Sequence, residues 1–269
     1  MIRKNRAIPA HQIRLLIFDL DGTLVDSRLD LSNSVNAMLR HYGKPELPCD
    51  VIASYIGNGA PMLVRRSLGD PDDESFVQEA LLYFMGYYRE HKLDNTYVYD
   101  GVIAALDAIR ASHDGQRQAA SREASRGIAG RYGLQHLASQ YSLGELKMAV
   151  LSNKPVGPSK GIVDALGLGK YFFQVYGGNS FHTKKPDPAG VQALLSEAEA
   201  HEEETVIIGD SDVDMITARN AGIYSVGVTY GLAPHTLEDA PPDVLVDHPK
   251  ELADVLGNRE QARLEFKAE

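Results

Sequence analysis

Residues 19–23 read Asp-Leu-Asp-Gly-Thr and follow directly on Leu15-Leu16-Ile17-Phe18. Two carboxylates two residues apart, opened out by a glycine, can divide two tasks between them. One serves as nucleophile or ligand, the other as acid and base. An Asp-Gly turn is also an ordinary loop, so Asp19 and Asp21 gain meaning only from their company. That company is present. Met148–Leu151 runs into Ser152 and Asn153, Val206–Ile208 leads through Gly209 to Asp210, and Lys185-Pro186 supplies a cation.

Such groups need a frame that brings distant segments together. Leu15–Phe18, Met148–Leu151 and Val206–Ile208 are short, uniformly apolar runs, the pattern of strands buried on both faces of a parallel sheet. Ser225–Val228 and Val244–Val246 repeat the pattern, with helical stretches around Asp164–Leu168, Val191–Ala198 and Met215–Ala221. This alternation predicts an α/β fold with a doubly wound, parallel, Rossmann-like sheet. Ligands bind outside the carboxyl ends of the strands in such sheets, so Asp19, Ser152, Asn153 and Asp210 are expected at one pocket.

The expected chemistry is phosphoryl transfer. Asp19 and Asp210 offer hard oxygen ligands for Mg²⁺, and Lys185 offsets the repulsion between a carboxylate and a phosphate. Asp19 can then attack phosphorus, while Asp21 protonates the leaving oxygen and later activates water. Ser152 and the amides after Asp21 are placed to bind the transferring oxygens. Each residue alone has a duller reading. Asp210 and Asp214 suit the amino end of the following helix, Ser152 a turn, and Lys185 a solvated loop. Their joint order favours the site.

Between residues 27 and about 95 the apolar residues recur at helical spacing, as in Leu31, Val35, Met38 and Leu39 or Val77, Ala80, Phe84 and Tyr88. The domain expectation is an α/β core of residues 1–26 and 100–269, with a small all-helical cap domain over 27–99. Hinges are expected near Asp26–Arg28 and Asn95–Gly101. Residues 112–145, rich in Ser, Arg, Ala, Gln and Gly, break the rhythm and read as an unusual insertion with a surface or partner role. Its Leu134–Tyr141 stretch is a helix candidate, and its first half reads as a mobile link.

The 269 residues carry a net charge of −10, 43% hydrophobic and 24% charged residues. A soluble globular chain without a nucleic-acid grip is expected, since that grip needs a basic face. The one cysteine, Cys49, fits a reducing compartment and reads as inert. No apolar stretch has signal-peptide or membrane-spanning length, so the expected location is the cytoplasm, with no membrane partner and a monomeric or homodimeric state.

Four segments carry a resemblance: Asp19-Leu20-Asp21-Gly22-Thr23, Ser152-Asn153-Lys154-Pro155, Lys185-Pro186-Asp187-Pro188 and Gly209-Asp210-Ser211-Asp212-Val213-Asp214. The chain resembles the haloacid-dehalogenase-like hydrolase superfamily over roughly 13–256, the insertion excepted. The resemblance implies that Asp19 is the nucleophile and a metal ligand. It implies that Asp21 is the acid/base and a ligand through its main-chain carbonyl. Thr23, Ser152 and Asn153 are implied to bind the phosphoryl group, Lys185 to neutralise charge, Asp210 to hold Mg²⁺, and Asp214 to stand behind it. Asp21 disfavours the dehalogenase branch.

The segments Tyr55-Ile56-Gly57-Asn58-Gly59-Ala60 and Arg65-Arg66, with Thr183-Lys184-Lys185-Pro186, are similar to the phosphoglycolate phosphatase group. The substrate implied is a small phosphomonoester, 2-phosphoglycolate, hydrolysed to glycolate. Gly57 and Asn58 could offer amides to an anion, and Arg66 could pair with the carboxylate; a tight turn with a surface arginine is the plainer alternative. The rival functions are a phosphatase for pyrophosphate or a sugar phosphate, a phosphomutase, and a non-catalytic phosphate-binding module.

Overall fold

The computed structural model describes residues 2–125 and 145–257. The opening apolar run forms the central strand β2 (Leu15–Phe18), buried along its whole length. It lies parallel between β5 (Lys147–Leu151) and β7 (Thr205–Gly209), with Leu15 opposite both Lys147 and Thr205. Beyond β7 come β8 (Tyr224–Val228) and β9 (Val244–Val246), and beyond β5 comes β6 (Gln174–Tyr176), all parallel to their neighbours. A two-residue strand β1 (Arg3–Lys4) adds antiparallel to β9 at the edge. The resulting order is β1-β9-β8-β7-β2-β5-β6.

Successive residues of a strand face opposite sides, and the core divides accordingly. Leu16 and Phe18 join one apolar cluster with Val102, Leu106 and Ile109 of helix α5 (Val102–Ser125) and Ile162 of α6 (Val156–Ala165). Leu15 and Ile17 join the other, with Val191 and Leu194 of α7 (Ala189–Ala198) and Ala218 of α8 (Asp212–Ala221). A final helix, α9 (Glu251–Leu256), packs Leu252 and Leu256 into the first cluster. Each such side chain contributes about 1.5–3 kcal/mol on burial, which fixes β2 as the anchor for whatever follows Phe18.

Between β2 and α5 the chain builds α1 (Arg28–His41), α2 (Cys49–Ala53), α3 (Ala60–Ser67) and α4 (Glu74–His91). They enclose an apolar cluster of their own, including Val35, Met38, Val64, Phe84 and Tyr88. The outgoing and returning segments pair as a short antiparallel ribbon, β3 (Val25–Asp26) with β4 (Tyr97–Val98). Asp30, 1% exposed in the first turn of α1, closes this neck. Its carboxylate accepts from the Asn95 and Thr96 N–H groups, the Asn95 amide and the Thr96 hydroxyl at 2.7–3.0 Å.

The structure differs from the sequence expectations in several places. The helix placed around Asp164–Leu168 lies earlier, at Val156–Ala165, because Pro155 starts it and Gly167, with φ +70°, follows its end. Helix α5 runs unbroken to Ser125, so residues 112–125 are helical rather than a mobile link. Their Ala, Gln, Arg and Glu are good helix formers that tolerate one glycine. The Leu134–Tyr141 candidate lies outside the described residues. Strands β1, β3, β4 and β6 were not expected; at two or three residues they are too short to show a period.

Candidate active site

The register that sets Phe18 beside Val150 and Ile208 brings Asp19, Ser152 and Asp210 out at one sheet edge. The Asp19 N–H donates to the Ile208 carbonyl at 2.9 Å, carrying the strand one residue further. Its carboxylate lies 3.0 Å from the Lys185 Nζ. Lys185, arriving from the loop before α7, also donates to Asp214 Oδ1 at 2.6 Å. The other oxygen of Asp214 accepts from the Ser211 hydroxyl at 2.7 Å and its N–H at 3.3 Å, a capping arrangement at the start of α8. Asp210 Oδ2 accepts from the N–H groups of Leu232 (2.6 Å) and Ala233 (3.1 Å).

Two of the three buried acids, Asp19 and Asp214, thus share one lysine. Burial pushes the Asp19 carboxyl up to about 6, with Asp214 adding to the rise and Lys185 opposing it. Burial pushes Asp210 up to about 8, followed by the charges of Asp214 and Asp19. Burial works against the Lys185 ammonium, but Asp19 and Asp214 outweigh it and raise its pKa. Ligand oxygens of Asp19, Asp210 and Asp214 lie within 4.8 Å of one another. Hard oxygen donors with an uncompensated negative charge suit a divalent cation such as Mg²⁺. Both oxygens of Asp214 are engaged by Lys185 and Ser211, so Asp19 and Asp210 are the side chains free to hold it.

Glycines make room for this cluster. Gly22 has φ +86°, and a Cβ there would come 2.2 Å from Asp210 Oδ2. On the other side a Cβ on Gly231 would come 2.3 Å from the Asp210 Cβ. No residue with a side chain fits either place while Asp210 keeps its position.

Asp21 points elsewhere. Both its oxygens accept from the Lys154 Nζ, at 2.8 and 3.0 Å, and one also accepts from the Ser27 hydroxyl. The buried Lys154 ammonium sits 4.6 Å from the centre of the Tyr88 ring, which stacks flat on Phe84. Burial pushes the Tyr88 phenol up to about 12. Its hydroxyl is buried without a well-formed hydrogen bond.

A cleft of about 540 Å³, partly open to solvent, separates the strand ends from the helices. Asp19, Asp21, Ser152, Asn153 and Lys154 line one side, and Ile56, Leu63, Phe84 and Tyr88 the other. The Asn153 amide donates to the Gly57 and Lys185 carbonyls, each at 3.0 Å, and Lys184 Nζ donates to the Asn58 carbonyl at 2.7 Å. These bonds seat the 57–59 loop on the core.

The sequence expectations meet this geometry unevenly. Asp19, Asp21, Ser152 and Asn153 are brought together on the cleft, with Lys185, Asp210 and Asp214 directly behind Asp19. Thr23 is buried nearby, its hydroxyl unpartnered and off the cleft wall. Ser152 Oγ accepts the Lys154 N–H at 3.3 Å. Gly57 lines the cleft, but Asn58 offers Lys184 a carbonyl rather than offering the cleft an amide. Arg66 is not on the cleft either. Helix α3 gives it Ala60 and Leu63, and Arg66 stands about one turn further along.

Two residues were missed. Lys154 carried a signal, a lysine directly after the Ser152-Asn153 strand end, which the structure places on Asp21. Tyr88 carried none, because it continues the apolar stripe of α4. Among the described residues no helix is long and apolar enough to cross a membrane.

Comparison with known proteins places this geometry in a family. The sequence model of the haloacid dehalogenase-like hydrolases matches residues 16–115 and 131–228. A phosphoglycolate phosphatase of Pseudomonas putida is 34% identical over 236 residues, spanning 84% of this chain and 73% of that protein. Phosphoglycolate phosphatase 1 of Pseudomonas aeruginosa is 32% identical over 246 residues, spanning 89% and 78%. The crystal structure of a predicted phosphoglycolate phosphatase from Haemophilus somnus superposes with a TM-score of 0.72 at 26% identity, covering 91% of this chain and 98% of that one. The chain belongs to the haloacid dehalogenase-like hydrolase family.

Proposed function

We propose that this hydrolase is a Mg²⁺-dependent phosphatase of small phosphomonoesters, with 2-phosphoglycolate as its substrate. The observation that carries the reading is the Asp19 carboxylate at the cleft floor, at the end of a rigid buried strand. There it lines the same cleft as Asp21 and is backed by Lys185 and Asp210. The names of the relatives from Pseudomonas support the substrate.

An Asp19 oxygen attacks phosphorus, and the ester P–O bond breaks. Asp21 delivers a proton to the departing oxygen, so that the alcohol leaves neutral. Water then attacks the aspartyl-phosphate, Asp21 takes up its proton, and phosphate departs with Asp19 restored. Lys185 holds Asp19 in line and balances charge as the two anions approach. Ser152, at the end of β5, would hold a phosphoryl oxygen, with the Asn153 amide seating the 57–59 loop beside it and Thr23 buried behind the cleft. Asp19, Asp210 and the main-chain carbonyl of Asp21 would hold Mg²⁺, with Asp214 orienting Lys185 behind them. When bound, the ion supplies charge neutralisation and polarises the phosphoryl oxygens. The 57–59 loop, seated on Asn153 and Lys184, keeps bulk water from the reacting centre.

The test is hydrolysis of a panel of phosphate esters by the wild type and Asp19→Asn. The expected result is 2-phosphoglycolate as the best member of the panel and no turnover by the variant, with an unchanged circular dichroism spectrum. Near-normal turnover by Asp19→Asn overturns the covalent route, and a poor rank for 2-phosphoglycolate overturns the substrate.

A further inference from the structure

A substrate with a second anionic group needs a cation for it, and the cleft holds one. Among the described residues that line it, Lys154 is the sole cationic side chain. Arg66, the sequence candidate, is elsewhere. Lys154 is 7% exposed, so its position is fixed by packing rather than by solvent. An ammonium carries three donors; two rest on the Asp21 oxygens, and the third is within reach of the Tyr88 hydroxyl. The Tyr88 hydroxyl, 2% exposed for the residue as a whole, lies against that ammonium, and its own proton has no acceptor in a well-formed hydrogen bond. A buried polar group left unmatched is costly, and such a group on a cleft wall points to a missing partner. The rest of that wall is apolar, with Leu31, Ile56, Leu63, Phe84 and Met85.

We propose that Lys154 and Tyr88 form the receptor for the non-transferring carboxylate of the substrate, and so select short phosphate esters that bear one. This rests on the phosphatase reading above. The two groups come from opposite sides of the cleft, Lys154 from the end of β5 and Tyr88 from α4. The Lys154 ammonium over the Tyr88 ring ties them into one unit, and Phe84 stacked on Tyr88 holds its orientation. Because Lys154 also holds Asp21, the receptor lies next to the ester oxygen that leaves. That spacing fits a carboxylate one carbon away and disfavours one at the end of a long chain. The neutral Tyr88 phenol donates its proton to the carboxylate, and the Lys154 charge beside the phenol balances the anion. The apolar wall rejects substrates whose second group is a polyol.

The experiment measures kcat and KM for 2-phosphoglycolate and for ethyl phosphate, in which a methyl group replaces the carboxylate. The proteins are the wild type, Tyr88→Phe, Lys154→Met and Lys154→Arg, each with Mg²⁺. A hydrogen bond to a charged group contributes enough to change affinity roughly tenfold to a hundredfold. Tyr88→Phe, which keeps the ring and the packing, is expected to raise KM for 2-phosphoglycolate by about tenfold. The kcat/KM preference for 2-phosphoglycolate over ethyl phosphate should fall by a similar factor. Lys154→Met should remove most of the preference and Lys154→Arg restore part of it.

Equal losses on both esters in every variant overturn the proposal, since they would make Lys154 and Tyr88 mere supports for Asp21. A wild type that turns over both esters equally well also overturns it, while leaving the phosphatase reading intact. A wild type that hydrolyses neither ester, nor p-nitrophenyl phosphate, overturns the reading and the proposal together.

Discussion

Asp210→Asn should abolish Mg²⁺-dependent turnover and at the same time make the metal-free protein more stable. The Asp210 carboxyl is pushed up to about 8 in the fold, against an ordinary value of 3.8 in an exposed chain. The folded state therefore holds the proton more tightly than the unfolded state throughout that interval. Stability from this group is fully present below about pH 4 and is lost as the pH rises towards 8. At pH 7 the gap is roughly three pH units, or about 4 kcal/mol at 1.36 kcal/mol per unit. Asn removes the charge but retains an amide that must also be desolvated, so about half of this, roughly 2 kcal/mol, should be recovered. Asp19, raised to about 6 chiefly by burial, adds a smaller loss in the same direction.

The assay is urea unfolding in EDTA at pH 5 and pH 8, repeated with excess Mg²⁺. The variant should exceed the wild type in EDTA at pH 8 and approach it at pH 5. Added Mg²⁺ should raise the wild type, because an ion that binds only the folded state stabilises it by mass action, and should leave the variant nearly unmoved. A variant equal to or less stable than the wild type in EDTA at pH 8 refutes the reasoning, as does a difference independent of pH.

The same cluster predicts the opposite sign for its cation. Lys185→Met leaves Asp19 and Asp214 without their shared partner; the metal-free protein should lose roughly 3–5 kcal/mol in the same urea assay at pH 8. Gly231→Ala places a methyl group 2.4 Å from Asp210 Oδ2. It should cut kcat/KM at least tenfold and raise the Mg²⁺ concentration needed for half-maximal activity. Asp30→Ala strands four donors at the neck between the sheet and the helices. A loss of roughly 3–5 kcal/mol is expected, read by calorimetry as a fall in Tm with Mg²⁺ present.

What the sequence made legible was governed by burial on both sides. Leu15–Phe18 has no polar residue because both faces of β2 are covered, and a strand so constrained can end in only one place. The same holds for Met148–Leu151 and Val206–Ile208, which is why Asp19, Ser152 and Asp210 could be assigned to one edge. The residues across the cleft obey a weaker rule. Helical periodicity separates a buried face from an exposed one, but it does not say which buried residue borders a cavity. Tyr88 shows in the sequence only as part of an apolar helical stripe, and Arg66, one of two readings for that segment, is not among the residues that line the cleft. Lys154 lay inside a recognised segment, yet its partner Asp21 is 133 residues away, a pairing no local spacing reports. Residues 112–125 looked like a break because Ser and Gly interrupt them, whereas summed propensity still favoured helix.

The neck also sets how the cleft can open. Two separate tethers would let the helices slide, swivel and tilt independently over the sheet. Pairing Val25 with Val98 and Asp26 with Tyr97 makes one ladder of the two crossings, and Asp30 rivets its upper end to Asn95 and Thr96. A hydrogen-bonded ladder resists shear along its strands and rotation about its axis, and flexes easily only across its flat face. Entry of substrate and escape of phosphate then share a single coordinate. One distance across the cleft, from Gly57 to Asn153 for instance, suffices to follow it.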